Sequence, residues 1–196
     1  MAYWEHPRLR DLPVEIETTR LILRPPQMGD GAMVNDAIRE TFPSLNRWMA
    51  WARSMPPIPE TETVMREAAA RYRTKEELSF LIFQRPSGLY TGSISLHHID
   101  WEVPKFEIGY WIRASEEGHG FMTEAVTRLT EYCFAHWDAL RMEIRCDVRN
   151  TRSAAVAQRA GYTLEATLRW DARDNQGNLR DTLIFSKFAP QPFQIA

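Results

Sequence analysis

Cysteine is scarce in this sequence, which has two among its 196 residues, Cys133 and Cys146. Two cysteines are too few for a disulfide framework, and their spacing does not form a C-x-x-C motif. A small disulfide-stapled domain is therefore excluded. Both cysteines occupy apolar positions of periodic segments, which predicts buried and unreactive thiols.

Long hydrophobic runs are also missing. No stretch of the sequence approaches the roughly 18 to 20 apolar residues that a membrane-spanning helix needs. The first residues, MAYWEHPRLRDLPVEIE, carry charges early and lack the apolar segment of a secretory signal. We therefore expect a cytoplasmic protein with no membrane partner.

The sequence also lacks an excess of basic residues. Lysine and arginine number 24 against 26 acidic residues, which gives a net charge of −2. Such a chain has no general attraction for phosphate backbones, so direct nucleic-acid binding is not expected. The length and the hydrophobic content of 44% are those of one globular domain. We expect a single domain over residues 1–196, with its core at about 15–188.

The patterns that are present alternate between strand and helix. Strand patterns are predicted at 18–26, 78–83, 90–99, 105–112, 140–149, about 162–172 and 178–188. Helical spacing is found in 29–54, 60–74, 121–133 and 150–161. This order predicts a mixed α/β (α+β) fold with a mostly antiparallel sheet of about seven strands and about four helices. One strand–helix–strand crossover is expected from 105 to 148.

The stretch RASEEGHGFMTEA, residues 113–125, joins a strand to a helix in that crossover. Unpaired N–H groups at a helix start can bind an anion, and a side chain at Gly118 or Gly120 would obstruct a phosphate. A tight turn alone would also explain the two glycines. The sequence has no Walker motif and no third glycine, and the loop has no lysine. A pyrophosphate that is held but not cleaved, as in coenzyme A, fits best.

Several ordered motifs resemble the GNAT N-acetyltransferases, and most closely the RimJ/RimL group that acetylates ribosomal-protein N-termini. The matching segments are TTRLILRPP, GSISL, FEIGYWI, EEGHGFMTEAV, RCDVRNTRSAAVAQRAGY and LRDTLIFSK. They extend over roughly residues 15–188. The resemblance implies a GNAT fold with acetyl-CoA as co-substrate, and a cytoplasmic acyltransferase that needs no metal.

The resemblance also implies a set of cofactor-binding residues. The strand at 105–112 should part from its neighbour and expose main-chain groups to the pantetheine arm. The implied residues are Tyr110, Trp111, Ile112, Gly118, His119, Gly120, Phe121, Met122, Thr123, Asn150 and Ser153. Two positions depart from the family pattern: Glu117 stands where Gln or Arg is usual, and Met122 replaces a small residue. Asn150 is equally expected as a helix N-cap, and His119 as a solvated loop residue.

The candidates for proton transfer are less distinct. By resemblance, Ser153 would lie beside the sulfur of coenzyme A as an acid, although a first-turn contact with the backbone would also explain it. Glu107 and Asp171, with Asp174 as an alternative, are the candidate bases. Each of these three carboxylates could equally be structural or solvated. The adjacent His97 and His98 are expected to face opposite sides of a strand, so no metal site is predicted.

Amine chemistry bears on the choice of acceptor. At pH 7.4 an α-amine is neutral a few hundred times more often than a lysine, so it needs only a weak base or a water. This agrees with the acceptor that the RimJ/RimL resemblance implies, a protein or peptide N-terminus, which is the preferred acceptor. A small-molecule amine such as an antibiotic, a polyamine or an amino acid is the alternative, and a non-catalytic acyl-CoA-binding protein is a further one. The segment around Trp48 and Trp51 is predicted to pack in the core, to contact the acceptor, or to form the surface of a homodimer.

Overall fold

The computed structural model describes residues 10–190, which form one eight-stranded sheet and four α-helices. The strands are β1 (Ile16–Glu17), β2 (Leu21–Arg24), β3 (Leu78–Gln84), β4 (Tyr90–Asp100), β5 (Lys105–Ile112), β6 (Arg141–Asp147), β7 (Thr163–Arg173) and β8 (Leu179–Phe188). The helices are α1 (Gly31–Trp48), α2 (Ile58–Thr74), α3 (Phe121–His136) and α4 (Thr151–Arg159).

The sheet has the order β1-β2-β3-β4-β5-β6-β8-β7. Every neighbouring pair is antiparallel except β5 and β6, which flank the crossover through α3. The predicted fold class and element order are confirmed, and the additional strand is the two-residue β1. No helix within residues 10–190 is long and apolar enough to cross a membrane.

Some predictions concern residues that lie outside this range. The first nine residues, on which the expectation of no secretory signal partly depends, are not among the described residues, nor are 191–196. The expectation of one domain over residues 1–196 stays a prediction.

Two apolar clusters hold the sheet between its helices. The larger cluster packs α3 and α4 against one face and includes Phe106, Ile108 and Met122. The smaller one packs α1 against the other face through Val34 and Leu81. The far half of β5 also contacts the larger cluster, because Tyr110 and Ile112 pack against it.

Some local predictions are wrong. The alternation of β6 was expected to continue through Val148, but Asp147 is buried and Val148 is exposed. The strand ends there because the Asp147 carboxylate accepts hydrogen bonds from Arg149, which turn the chain. Helix α1 ends at Trp48, earlier than the helical spacing indicated. Cys133 and Cys146 are both buried, as predicted.

The two adjacent histidines of β4 do not face opposite sides. His98 has φ +49°, a left-handed conformation, at an irregularity in the pairing of β4 with β5. A bulge of this kind breaks the alternation of side chains along a strand. Both imidazoles consequently reach the same carboxylate, that of Glu107.

Candidate active site

A cleft opens between β5 and β6. Their parallel pairing runs from Lys105 opposite Arg141 to Ile108 opposite Ile144, and it stops there. Beyond that point β5 stays paired with β4, while β6 stays paired with β8. The separation that the sequence resemblance implied is therefore present in the structure.

The alternation of hydrogen bonds along β5 decides which main-chain groups line this cleft. The N–H of Arg113 donates to the carbonyl of Thr91, on the β4 side. In an antiparallel pair the residues that bond to the neighbour alternate. The main chain of Trp111 therefore also bonds toward β4, and the groups of Tyr110 and Ile112 point toward the cleft. Trp111 instead packs its side chain against the smaller apolar cluster.

Tyr110 crosses the floor of the cleft to α4. Its hydroxyl donates to the carbonyl of Ser153 at 3.0 Å and lies 3.0 Å from the Ser153 hydroxyl. Burial raises the pKa of Tyr110 far above its ordinary value, so the phenol stays protonated. Asn150 caps α4 by accepting from the N–H of Ser153 at 3.1 Å. Ser153 thus has the first-turn backbone contact that was its alternative role, while its hydroxyl remains at the cleft.

The glycine loop ends at the mouth of the same cleft. Gly118 has φ +81° and Gly120 has φ +78°, and a non-glycine residue is strained in both conformations. No side chain caps the start of α3, where Gly120 is the N-cap residue. The N–H groups of Phe121, Met122 and Thr123 therefore lack intrahelical partners. The backbone requirement explains the glycines, and the unpaired N–H groups are donors of the kind that binds an anion at a helix start.

The side chains around the loop account for the two departures from the family pattern. Met122 is 4% exposed and packs in the core, so it can offer a ligand its N–H group but not its side chain. Glu117 forms an ion pair with Arg152 in the first turn of α4. This contact spans the cleft from its β5 side to its β6 side. The charge of Glu117 is therefore compensated by Arg152 next to the unpaired N–H groups of α3.

A second arginine fixes the other side of the loop. Arg20 donates to the carbonyl of His119 at 3.0 Å and stacks over the ring of Phe121 at 4.7 Å. It also pairs with Glu124, and hydrogen bonds from Thr18 and Arg20 together outweigh burial and keep the pKa of that carboxyl low. His119 itself is exposed and stacks on Phe121. The hydroxyl of Thr123 accepts from Arg159 at 3.3 Å.

Glu107 does not lie free at the cleft. It lies one residue before the last position at which β5 pairs with β6, and its carboxylate accepts from His97 Nε2 at 3.2 Å and from His98 Nδ1 at 2.9 Å. Burial alone would raise its pKa, but these hydrogen bonds and charges outweigh burial and hold the pKa below its ordinary value. The assignment of Glu107 as a base stays a prediction.

The other two candidate bases are paired with arginines. Asp171 accepts from Arg145 at 3.1 Å across the sheet. Asp174 accepts from Arg149 at 3.2 Å and from the N–H groups of Gln176 and Asn178, which shape the β7–β8 turn. Burial of Asp174 would raise its pKa, but these contacts lower it. Asp174 therefore has a structural role in the turn.

A cavity of about 420 Å³ lies where that turn meets the end of α1. Its lining is formed by Pro43, Asn46, Arg47, Trp48, Arg149, Asp174, Asn175 and Gln176. The side chain of Asn175 donates to the carbonyls of Asn46 at 2.7 Å and Met49 at 2.9 Å, which fixes the turn to the helix. Trp48 is half-buried at the cavity, while Trp51 is 52% exposed, so core packing alone does not describe this segment.

Three of the residues that build this site were missed from the sequence: Arg20, Arg152 and Asn175. Arg152 had a usable signal, because a cation in the first turn of a helix opposes the helix dipole and implies another partner. The sequence around Arg20 and Asn175 gives no such signal, since their partners lie far away along the chain. Asn175 sits in a segment, DNQGN, that indicates only a turn.

Comparison with known proteins gives a consistent family. Residues 20–163 match the family described as acetyltransferase (GNAT) domain. YdaF of Bacillus subtilis (strain 168), provisionally named a ribosomal N-acetyltransferase, is 30% identical over 142 residues, which cover 71% of this chain and 76% of YdaF.

Two solved structures are similar over most of the chain. RimL, a ribosomal L7/L12 alpha-N-protein acetyltransferase in complex with coenzyme A, has a TM-score of 0.83 and 23% identity over 89% of this chain and 97% of RimL. MccE, a microcin C7 self immunity acetyltransferase in complex with acetyl-CoA and AMP, has a TM-score of 0.81 and 26% identity over 87% of this chain and 93% of MccE. At 23% identity the likeness to RimL shows the fold.

Proposed function

This chain belongs to the GNAT acetyltransferase family, and from that membership we propose that its acceptor is the N-terminal α-amine of a protein or peptide. The enzyme is an N-acetyltransferase with acetyl-CoA as co-substrate. Its likeness to YdaF, whose name includes ribosomal N-acetyltransferase, supports a ribosomal-protein acceptor.

The proposed position of acetyl-CoA follows the main-chain donors. Its pyrophosphate would bind the N–H groups at the start of α3, and its pantetheine arm would pair with the free groups of Tyr110 and Ile112. The N–H of Ile112 is then the donor for the thioester carbonyl oxygen, whose negative charge grows as the amine attacks. This placement is possible only if positions 118 and 120 carry no side chain, as the two glycines provide.

The reaction is a direct transfer. The neutral amine attacks the thioester carbonyl carbon, the carbon–sulfur bond breaks, and the thiolate of coenzyme A leaves. The Ser153 hydroxyl, positioned by its contact with Tyr110, can stabilise that thiolate by a hydrogen bond. The extra proton of the amine nitrogen passes to water.

The pairing of the candidate bases carries the acceptor assignment, because the carboxylates of Glu107, Asp171 and Asp174 each accept hydrogen bonds from a histidine or arginine side chain. Glu107, Asp147 and Asp174 all have a lowered pKa, because hydrogen bonds and positive charges outweigh their burial. A general base for lysine would need a pKa raised toward 7. An α-amine has a pKa of about 8 and is about one-fifth neutral at pH 7.4, so it can react without such a base.

Matched peptides test this proposal. The enzyme would be incubated with acetyl-CoA and a peptide that carries a free N-terminus and one internal lysine, and with the same peptide blocked at its N-terminus. We expect thiol release and a mass gain on the first peptide only. Equal turnover of the blocked peptide would contradict the assignment, and no turnover of any amine would contradict acetyl transfer itself.

A small-molecule amine is the second candidate. It is favoured by the likeness to MccE, whose structure holds AMP, and by the cavity in which Arg47 stacks over Trp48 at 4.5 Å. Aminoacyl nucleotide analogues and polyamines would be compared with the free peptide at equal concentration. A kcat/KM higher for a small amine than for every peptide would replace the first proposal with this one.

A further inference from the structure

We propose that His97, His98 and Glu107 form a binding site for a divalent transition metal ion of the zinc class, separate from acetyl transfer. Their ligand atoms all lie within 4.8 Å of one another. Within residues 10–190 this is the one group of three or more His, Cys, Asp or Glu side chains with such a geometry. Two imidazoles and one carboxylate are a common donor set for Zn²⁺.

The distances already suit a bound ion. The carboxylate oxygens of Glu107 lie 3.2 Å from His97 Nε2 and 2.9 Å from His98 Nδ1. Ligands at about 2.0 to 2.1 Å from a tetrahedral ion are about 3.3 Å apart, so small side-chain adjustments would accommodate one. On binding, the proton on the nitrogen that faces Glu107 is released to solvent and the other ring nitrogen carries a proton, so each imidazole stays neutral and offers the lone pair of the facing nitrogen to the metal.

The backbone around the cluster is shaped to hold it. The left-handed φ of +49° at His98 turns its ring to the side of His97, and such a conformation is costly for a residue other than glycine. On the neighbouring strand, a Cβ at Gly109 would lie 2.5 Å from Cε1 of His97. The orientation of His97 therefore depends on a glycine at that position.

A further contact orients the first imidazole. Ser95 Oγ lies 3.5 Å from His97 Nδ1, the nitrogen that does not face Glu107. A polar partner on the outer nitrogen of a metal-binding histidine favours the tautomer whose inner nitrogen can bind. The cluster thus has both the binding atoms and a residue that supports them.

The cluster leaves room for solvent ligands. The side chain of Glu107 is 15% exposed and that of His98 is 79% exposed, so the ion can enter from solvent and keep water on its open side. Nitrogen and oxygen donors of this kind suit Zn²⁺, Co²⁺, Ni²⁺ and Cu²⁺ better than Mg²⁺ or Ca²⁺. The site joins β4 to β5, and a bound ion would brace these two strands.

Zinc titration of the whole protein tests this inference. The chain is prepared without a polyhistidine tag and titrated with Zn²⁺ by calorimetry in the absence of coenzyme A, whose thiol would compete. We expect one saturable ion per chain and a higher Tm with Zn²⁺. The variant His98→Ala should bind Zn²⁺ at least about tenfold more weakly, because it loses one ligand. The variant Glu107→Gln replaces the charged carboxylate with a neutral amide and should weaken binding similarly.

The variant His136→Ala is the matched control, because it removes an exposed histidine at the end of α3. It should bind Zn²⁺ like the unchanged protein. Co²⁺ gives a second readout, a visible absorption that is present in the control and lost in His98→Ala. The inference is overturned if no saturable binding occurs, or if His98→Ala and His136→Ala bind equally. Neither result affects the acetyltransferase assignment, since acetyl-CoA is not used.

Discussion

The two ends of the cleft are built from different chemical groups. The end where we propose that acetyl-CoA binds consists of main-chain groups: unpaired N–H donors at the start of α3 and the free edge of β5 after Ile108. The opposite end, where we propose that the acceptor binds, consists of side chains, with Asn175, Asp174 and Arg149 holding the β7–β8 turn near Trp48. A site built from main-chain groups tolerates a substitution if the new side chain points away from it. A site built from side chains depends on the identity of each residue.

That difference explains why the departures from the family pattern are tolerated. At Glu117 the added charge is neutralised by Arg152, and at Met122 the larger side chain enters the core. The main-chain donors are unchanged in both cases. The following variants would break or sharpen this contrast between the two ends.

The largest effect is expected from Gly120→Glu. A carboxylate beside the proposed pyrophosphate position adds like-charge repulsion, and we expect the Kd for coenzyme A to rise about 100-fold, or about 2.7 kcal/mol. Gly88→Glu is the control, because Gly88 also has a left-handed φ, +66°, with nothing within 4 Å of an added Cβ. Calorimetry should find coenzyme A binding unchanged in the control. Equal losses in the two variants would mean that the phosphates bind elsewhere.

The variant Asp147→Asn tests the acceptor end by pH. The pKa of Asp147 is lowered because hydrogen bonds from Arg149 outweigh burial. Its stabilisation is therefore full above the unfolded pKa of about 3.9 and is lost as pH falls through the folded pKa. We expect the variant to lower the free energy of unfolding by about 2 kcal/mol at pH 7 and by less below pH 4.

Urea unfolding at several pH values measures this difference. Asp11→Asn, which changes an exposed carboxylate, should give a small difference that does not shrink in acid. A pH-independent difference for Asp147→Asn would show that its carboxylate is not ionised in the folded protein.

The variant Asn175→Ala should separate the two substrates. It removes both hydrogen bonds that fix the β7–β8 turn to α1. We expect KM for the acceptor to rise about tenfold, or about 1.4 kcal/mol, while the affinity for acetyl-CoA stays the same. Asn178→Ala, at an exposed position of the same turn, is the control for turn composition. A loss of acetyl-CoA binding in Asn175→Ala would contradict the separation of the two ends.

The smallest effect is expected from Arg152→Ala. This variant leaves Glu117 uncompensated near the anion site, and because the pair is solvent-exposed we expect acetyl-CoA affinity to fall only about two- to fivefold. Combining it with Glu117→Gln should restore most of the affinity. Binding measured at low and high salt adds a check, since the loss should diminish as salt screens the charge. An unchanged affinity for acetyl-CoA in Arg152→Ala would mean that the charge of Glu117 does not affect acetyl-CoA binding.

The sequence predicts the fold and the cofactor end because both depend on short-range patterns. Gly118 and Gly120 lie two positions apart, and Asn150 and Ser153 lie one helical turn apart, so each pattern is legible within a few residues. The structure has the predicted N-cap, and it has the separation of β5 from β6 that the resemblance to the family implied. Whether these residues bind coenzyme A stays a prediction.

The acceptor end and the histidine cluster could not be predicted for a physical reason. A bulge is set by the pairing of two strands, so the positive φ at His98 has no local signature beyond the residue itself. The engagement of Glu107 depends on that bulge. The contact of Asn175 with Asn46 similarly arises only once distant segments have packed together.

The docking of the β7–β8 turn has a consequence for the order of assembly. The two hydrogen bonds of Asn175 join residues 129 and 126 positions apart. Contacts of such separation close large loops and form late in folding, after the local turn at Gly118 and Gly120. We expect this end of the molecule to fold last and to exchange its amide hydrogens first. The proposed acceptor site would then form only after the rest of the domain has folded.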